Sequence, residues 1–339
     1  MHITLKTLTP LWTGGVDQTC DRLHETGLIG SLRWWYEALV RGLGGYACDP
    51  TEHSCIYDEK KPDHGLCLAC QVFGATGWAR RFRLSVSAGD ITLQGPDGTK
   101  QPNGDRFKKN SKTNRPSWYF RKGRGGMFTL SILPTHKEFY PHTILGVLKV
   151  IERHAGFGAK PQFGYGWIQI EKIEGASFST NNFVEQLQNI ARTQPDKGNG
   201  LPNLQEMFFA QVKTKDVKTN DPDITATLNL RYDVRAKFRI SSSNNQKLRH
   251  WVCGTVSGDR EASKIFFSQS VNEVMRVWGW LPDLPADFQG ITRDQVIQEI
   301  KQTVADFGEI KSWREFNSDR DTCGRQTDIS EYLRSLLEG

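Results

Sequence analysis

Between His154 and Ile170 the chain reads HAGFGAKPQFGYGWIQI, with glycines at 156, 158, 164 and 166. A helical pattern precedes this stretch and a strand pattern follows it, so a helix hands the chain to a loop with almost no side-chain bulk. Glycine is used where φ must be positive or where another group approaches the backbone closely. Lys160 adds a cation in the middle of the run. Such a loop suits a phosphate chain; the plainer reading is a helix C-cap followed by a glycine-rich turn. The familiar dinucleotide and nucleoside-triphosphate loops are excluded, because they run strand, glycines, helix, whereas here the order is helix, glycines, strand and no GK[ST] follows.

A chain of 339 residues is long enough for two domains, each with its own core. No apolar run approaches the ~20 residues needed to cross a bilayer, so no membrane partner is expected. The opening MHITLKTLTPLW lacks the layout of a signal peptide, which makes the cytoplasm the expected location and its seven cysteines thiols. The net charge of +6 is modest. Its placement matters more than its size.

Ile3, Leu5 and Leu8 alternate with polar residues as a half-buried strand does. A glycine-bearing loop follows over 10–27, and then a helix is expected from Leu28 to Leu43, with Leu28, Leu32, Trp35, Leu39 and Leu43 on one side. Arg33, Glu37 and Arg41 form an i, i+4 ladder on another, most simply a solvated face with weak ion pairs. Arg33, in the second turn of a helix entered through a glycine loop, is also a candidate phosphate contact.

Cys48, Cys55, Cys67 and Cys70 give a C-x6-C-x11-C-x2-C array in a polar, turn-rich segment. Four soft ligands there suit one tetrahedral Zn2+, since the segment has too few apolar residues for a core of its own. His53 or His64 is the alternative to Cys55, and Cys20 a remote one. A redox pair at Cys67/Cys70 is disfavoured because no βαβ unit surrounds it. With no open coordination position implied, the expected metal is structural.

Residues 94–126 read as an insertion with nine Lys or Arg against two Asp. Trp118, Tyr119 and Phe120 stand inside this basic run, the mixture of cations and flat rings that suits single-stranded nucleic acid. A basic surface loop with a short strand at its end is the competing reading. Strands are then expected at MFTLSILP and Gly164–Ile173, with a helix over Tyr140–His154 between them.

The order strand, helix, strand, strand, helix, strand is the ferredoxin-like one that RNA-recognition modules share. It recurs. After a linker over Thr193–Pro202, strand patterns at Met207–Val212, Val271–Trp280 and Ile310–Phe316 alternate with helical ones at Thr225–Ile240 and Thr292–Phe307, the last opened by the capping-box pair Thr292/Gln295. Gly254 and Gly258 repeat the Gly74 and Gly77 turn, each pair leading through basic residues into a strand. The expected fold is therefore α+β: two ferredoxin-like (RRM-like) βαββαβ domains in tandem over 1–175 and 203–339, joined by a helix and linker at 176–202. The first carries a zinc-binding insertion (46–72) and a basic, hairpin-like one (94–126).

The pieces LTPLWTGG (8–15), GLIGSLRWWYEALVRG (27–42), CQVFGATGWARRFRLSV (70–86) and GFGAKPQFGYG (156–166) resemble the RAMP superfamily of CRISPR proteins. Within it they are most similar to the first RAMP subunit of type III-B (Cmr) effector complexes. The resemblance implies two ferredoxin-like domains and a place in an RNA-guided complex, beside other RAMP subunits, at the guide end distal from its 5′ tag. Guide RNA and target RNA are then the partners. It also implies that Gly156, Gly158, Gly164 and Gly166, with Lys160, form the family's glycine-rich loop, and that Arg33 faces RNA. The insertion occupies the place of a thumb-like hairpin. The RNA-binding set expected from all these readings is Arg33, Arg80, Arg81, Lys108, Lys109, Tyr119, Arg121, Lys122, Arg124 and the glycine loop with Lys160.

Related backbone subunits cut RNA with an aspartate in the loop after the first strand, where this chain has Asp17 and Asp21, with His24 nearby. A metal-free endoribonuclease acting there, with His24 as general base, is one alternative. A scaffold whose zinc element and basic insertion touch only proteins is another. The first reading is a noncatalytic RNA-binding subunit.

Overall fold

The structure is a computed structural model that describes all residues except 53–54, 104–115, 197–199, 215–223, 239–244, 257, 259, 289 and 339. Lys108, Lys109 and His53 lie outside the described residues.

The first half runs β1 (His2–Thr7), α1 (Glu25–Gly42), α2 (Leu68–Phe73), β2 (Phe82–Ala88), four short strands, β7 (Met127–Pro134), α3 (His142–His154) and β8 (Ile168–Glu174). The short strands are β3 (Thr92–Gln94), β4 (Gly98–Lys100), β5 (Trp118–Phe120) and β6 (Gly123–Gly125). The main sheet has the order β2-β7-β1-β8, antiparallel throughout. Ile3 lies opposite Leu130 and Leu5 opposite Phe128. All four are buried, as strict alternation in both strands requires. The other face is polar, with His2 bonded to Ser131 and Thr4 to Thr129. It offers no aromatic platform of the kind RNA-recognition modules stack bases on.

The second half repeats the plan: β9 (Met207–Thr214), α5 (Ile224–Lys237), α6 (Asn245–Cys253), β10 (Ile265–Phe267), β11 (Val274–Trp280), α7 (Arg293–Phe307) and β12 (Gly308–Glu315). Its sheet order, β10-β11-β9-β12, is that of the first. The glycine turns correspond as well. Gly74 ends α2 and Gly254 ends α6, both at positive φ and each close to the backbone it passes. The capping box of α7 forms as its sequence requires, Thr292 and Gln295 bonding reciprocally.

Alternation along β9 and β11 divides the second sheet between two cores. Phe208, Ala210, Val212, Met275 and Val277 face α5 and α7, whereas Met207, Phe209 and Trp278 turn to the first half. There the α1 tryptophans meet them, with Trp35 5.1 Å from Trp278 and Trp34 6.2 Å from it. Each large ring buried at such a seam contributes about 1.5–3 kcal/mol. The second sheet's face is thus a packing surface between halves and, like the first, no base platform.

Two further helices tie the halves together. Helix α4 (Thr180–Thr193) packs on α3, with Phe183 pressed against Gly146. The final helix, α8 (Ile329–Glu338), returns to α3 and α4 and places Tyr332, Leu333, Leu336 and Leu337 in the first core. The start of the 193–202 segment is held by backbone bonds, Tyr46 donating to the Gln194 carbonyl and Asp196 to that of Gly44. No helix among the described residues is long and apolar enough to cross a membrane.

Candidate nucleic-acid interface and metal centre

The segment after β1 and the glycine-rich loop run side by side. Gly166 donates to the Pro10 carbonyl at 2.9 Å and Ala159 to that of Trp12 at 2.8 Å. Gly158 donates to the Ser31 hydroxyl of α1 at 3.1 Å. Gly158, Gly164 and Gly166 have positive φ, and so does Lys160 at 59°. A Cβ on Gly166 would sit 2.0 Å from the Phe157 carbonyl oxygen, and one on Gly158 2.7 Å from Leu11. On Gly164 it would strike Gln269 of the second half at 2.7 Å. The glycines therefore admit neighbouring protein backbone.

That corrects one expectation. Gly156, Gly164 and Gly166 are buried, and the amides of Gly158, Gly164 and Gly166 are already spent on internal acceptors. They shape the loop; they do not present amides to phosphate. What the loop presents is Lys160, half-buried, with its ammonium 3.7 Å from the centre of the Trp12 ring. Burial, reinforced by Arg121, holds the Lys160 pKa below its ordinary value.

The basic excursion folds back on the same loop. Strand β3 pairs with β6 and β4 with β5, a hairpin ladder whose stem also bridges Leu11 to Arg124. Arg121 donates to the Gln18 carbonyl at 2.9 Å, while Arg124 reaches the carbonyls of Cys20 and Asp21. Their stems brace the loop after β1. Lys122 and Tyr119 are exposed beside them. Arg80 and Arg81 stand apart, over the rings of Phe82 and Trp78 respectively.

In the loop itself His24 Nε2 lies 2.7 Å from Asp21 Oδ1, and that bond holds the Asp21 pKa down. Asp17 is kept low by the Thr19 hydroxyl and amide. The two aspartates thus have different jobs: Asp17 fixes a turn, and Asp21 pairs with a histidine.

Arg33, expected as a phosphate contact, is committed inside the protein. Its Nε donates to Glu37 at 2.7 Å, Nη1 to the Gly74 carbonyl at 3.2 Å, and Nη2 approaches Cys70 Sγ at 3.1 Å. Nor is the ladder solvated: Glu37 is 3% exposed and Arg41 6%. Arg41 donates to the carbonyls of Ala47, Cys48 and Pro202. The polar side of α1 is the seat on which the cysteine segment rests.

The Sγ atoms of Cys48, Cys55, Cys67 and Cys70 lie within 4.8 Å of one another. Sulfurs bound to one tetrahedral zinc stand about 3.8 Å apart, given bonds of ~2.3 Å. The Cys48–Cys70 separation is 3.6 Å. Backbone amides already point at the sulfurs, from Cys67 to Cys55 and from Cys70 to Cys67. Hydrogen bonds from Cys48 and Cys70 push the Cys67 thiol down, and the contact with Cys67 pushes Cys48 up. A divalent cation resolves this conflict by letting all four ionise. The cluster can hold a metal ion. His64 is no part of it, its ring lying against those of Tyr57 and Trp78, and Cys20 lies buried in the loop after β1, bonded near Thr13 and Leu11.

Residues 4–169 match the family model described as the RAMP superfamily. Those residues run from β1 into β8 and so reach every strand of the first sheet and take in its helices. Among solved structures, Cmr1 from Pyrococcus furiosus in its apo form is 12% identical, the match covering 91% of this chain and 97% of that one with a TM-score of 0.42. A chain of the type III-B Cmr-beta complex bound to cognate target RNA is 13% identical, covering 89% and 99%, with a TM-score of 0.44. A chain of the same complex with target RNA and AMPPnP, in state 2 and in the presence of ssDNA, is also 13% identical, covering 91% and 99%, with a TM-score of 0.47. No curated protein matches the sequence.

Proposed function

We propose that this chain is a noncatalytic RNA-binding subunit of a type III-B CRISPR (Cmr) effector complex. In this reading it contacts guide RNA near the 3′ end and target RNA, alongside other RAMP subunits in the cytoplasm. Its two halves are ferredoxin-like domains, and Zn2+ at Cys48, Cys55, Cys67 and Cys70 is structural. The observation that carries the reading lies inside the RAMP-matched residues: two loops and a basic hairpin are locked together, with Lys160 on the glycine-rich loop and Lys122 and Tyr119 exposed on the hairpin. Cations of this kind pair with phosphates whatever the sequence, and the ring gives a base something to stack on.

The test is binding of labelled single-stranded RNA by the whole protein across a salt series. Affinity should fall steeply, with a slope of about −0.7 per phosphate contact, and a Lys122→Ala, Lys160→Ala double variant should flatten it by one to two contacts. Salt-independent or absent binding, alone and in the assembled complex, would leave the scaffold reading.

A ribonuclease reading has one specific observation behind it, the His24–Asp21 pair in an exposed loop. The same bond commits Nε2 to a carboxylate three residues away, a turn-stabilising arrangement. Target RNA incubated with the assembled complex should yield the same fragments with His24→Ala or Asp21→Ala as with the native subunit; loss of a fragment in either variant would make this subunit a nuclease.

A further inference from the structure

Where the glycine-rich loop meets the second half, a cavity of about 580 Å³ opens between Trp118, Phe163, α5 and the glycine turn after α6. That volume is within the range of sites that enclose a small organic ligand. One wall is Arg231 of α5, only 8% exposed. Its guanidinium lies over two rings, 5.3 Å from the centre of Trp118 and 4.9 Å from that of Phe163. Nη1 donates to the Gln162 carbonyl, but Nε is buried with no partner.

A buried guanidinium normally has a carboxylate or another anion against it, because desolvating the charge alone is costly. Here burial draws the Arg231 pKa down to about 10, and the next contribution is repulsion from Arg235. Arg235 lies one turn further along α5, donating to the carbonyls of Cys253 and Gly254 at 3.0 and 3.2 Å. Arg260 is exposed on the lining. Glu261, the acid of that lining among the described residues, is held by Lys264 at 2.6 Å. Arg231 and Arg260 thus line a space whose acid, Glu261, is held by Lys264, and flat rings form the adjoining wall.

We infer that this cleft receives one nucleotide of a single RNA strand, its phosphate against Arg231 and Arg260 and its base beside Trp118. A small inorganic anion would satisfy the charge and leave the aromatic wall and most of the volume unused. A free carboxylate would do the same. The inference rests on the RNA-binding reading above and narrows it to a place, since Trp118 opens β5 of the hairpin and Asn103, beyond β4, donates to Asn229 of the same α5 at 2.8 Å.

The experiment uses the whole protein, supplied with zinc, and a fluorescein-labelled ten-nucleotide oligouridine followed by anisotropy. Trp118→Ala and Arg260→Ala should each weaken binding on the order of tenfold, the loss expected of one stacked base or one phosphate contact. Arg231→Lys, which keeps the charge and removes the planar fork, should weaken it as well; if that variant melts early, the other two still decide. 4-Thiouridine in the oligonucleotide should cross-link to the peptide holding Trp118. Oligonucleotides with hydroxyl ends and with a 5′ or 3′ phosphate separate the source of the phosphate: equal affinity assigns an internal phosphodiester, and a gain from one end assigns that terminus. If Trp118→Ala and Arg260→Ala bind like the native protein while Lys160→Ala is weakened, the cleft is unused and the RNA reading survives. If the native protein binds no RNA, the underlying reading falls and this inference falls with it.

Discussion

Arg33 Nη2 stands 3.1 Å from Cys70 Sγ while its Nε holds Glu37, so one side chain of α1 both faces the sulfurs and is itself held in place. Four thiolates around a divalent cation leave two negative charges, and a half-buried guanidinium offsets part of that excess. Arg33→Met should therefore lower metal affinity by about tenfold or more, the usual cost of losing an outer-shell partner, with Arg33→Lys intermediate. Competition with a chromophoric chelator measures it. Unchanged affinity in the Met variant would reduce Arg33 to a packing residue.

Cys67→Ser separates metal binding from local folding. Cys67 caps α2, its sulfur accepting from the Cys70 amide, and serine is a good helix cap. The helix start is thus preserved while a soft ligand is lost. Metal content should drop from one ion per chain to near zero, with a lower thermal midpoint that chelator treatment of the native protein reproduces. Full metal occupancy in the serine variant would mean that Cys67 is no ligand.

The two glycines at opposite ends of the loading scale give an internal control. At Gly166 φ is +89° and a Cβ meets the Phe157 carbonyl oxygen at 2.0 Å; at Gly30 of α1 nothing lies within 4 Å. Gly166→Ala should cost roughly 3 kcal/mol or more, from strain plus displaced backbone. Gly30→Ala should gain about 0.5–1 kcal/mol, since alanine favours a helix interior. Urea titration of both variants tests the pair, and a tolerated alanine at 166 would mean the loop can relax.

What the sequence made legible was periodicity and punctuation. The alternation of Ile3 and Leu5, the helical spacing from Leu28 to Leu39 and the Thr292/Gln295 box each specify a local structure that packing had no reason to override. The four cysteines likewise come to one place, as their array suggested. Charge was harder to read, because a guanidinium in a sequence carries no sign of its acceptor. Arg33 and Arg41 looked like a solvated ladder, yet their partners are sulfurs and carbonyls of a segment that a sequence reading places only loosely. The glycines were ambiguous for the same reason: a residue without a side chain fits a phosphate or a neighbouring strand equally well, and here Leu11, Phe157 and Gln269 fill the space. Helix α8 had a signal that went unused, since Tyr332, Leu333, Leu336 and Leu337 form one face and Asp328 accepts from the Ser330 and Glu331 amides at its start.

The return of α8 carries a pH dependence. His154, the last residue of α3, donates from Nε2 to the Leu336 carbonyl at 2.7 Å and stacks obliquely on Phe209 at 5.2 Å. Burial holds its pKa down to about 3, and Arg276, Arg314 and Arg153 add repulsion to a second proton. The folded value therefore lies below the unfolded one, near 6.5. Above pH 6.5 neither state is charged and the stabilisation is complete; as the pH falls from there toward 3 the unfolded chain takes the proton first, and stability is lost. The ring borders a water-accessible cavity between the halves, which tempers the effect to about 1 kcal/mol between pH 7 and pH 5, less than the full proton linkage. His154→Gln retains an amide that can reach Leu336 and has no proton to gain. Its unfolding free energy from urea titration at pH 7 should lie below that of the native protein, and the gap should narrow by about that amount at pH 5. Parallel profiles for the two proteins would show that the acid sensitivity of this junction comes from elsewhere.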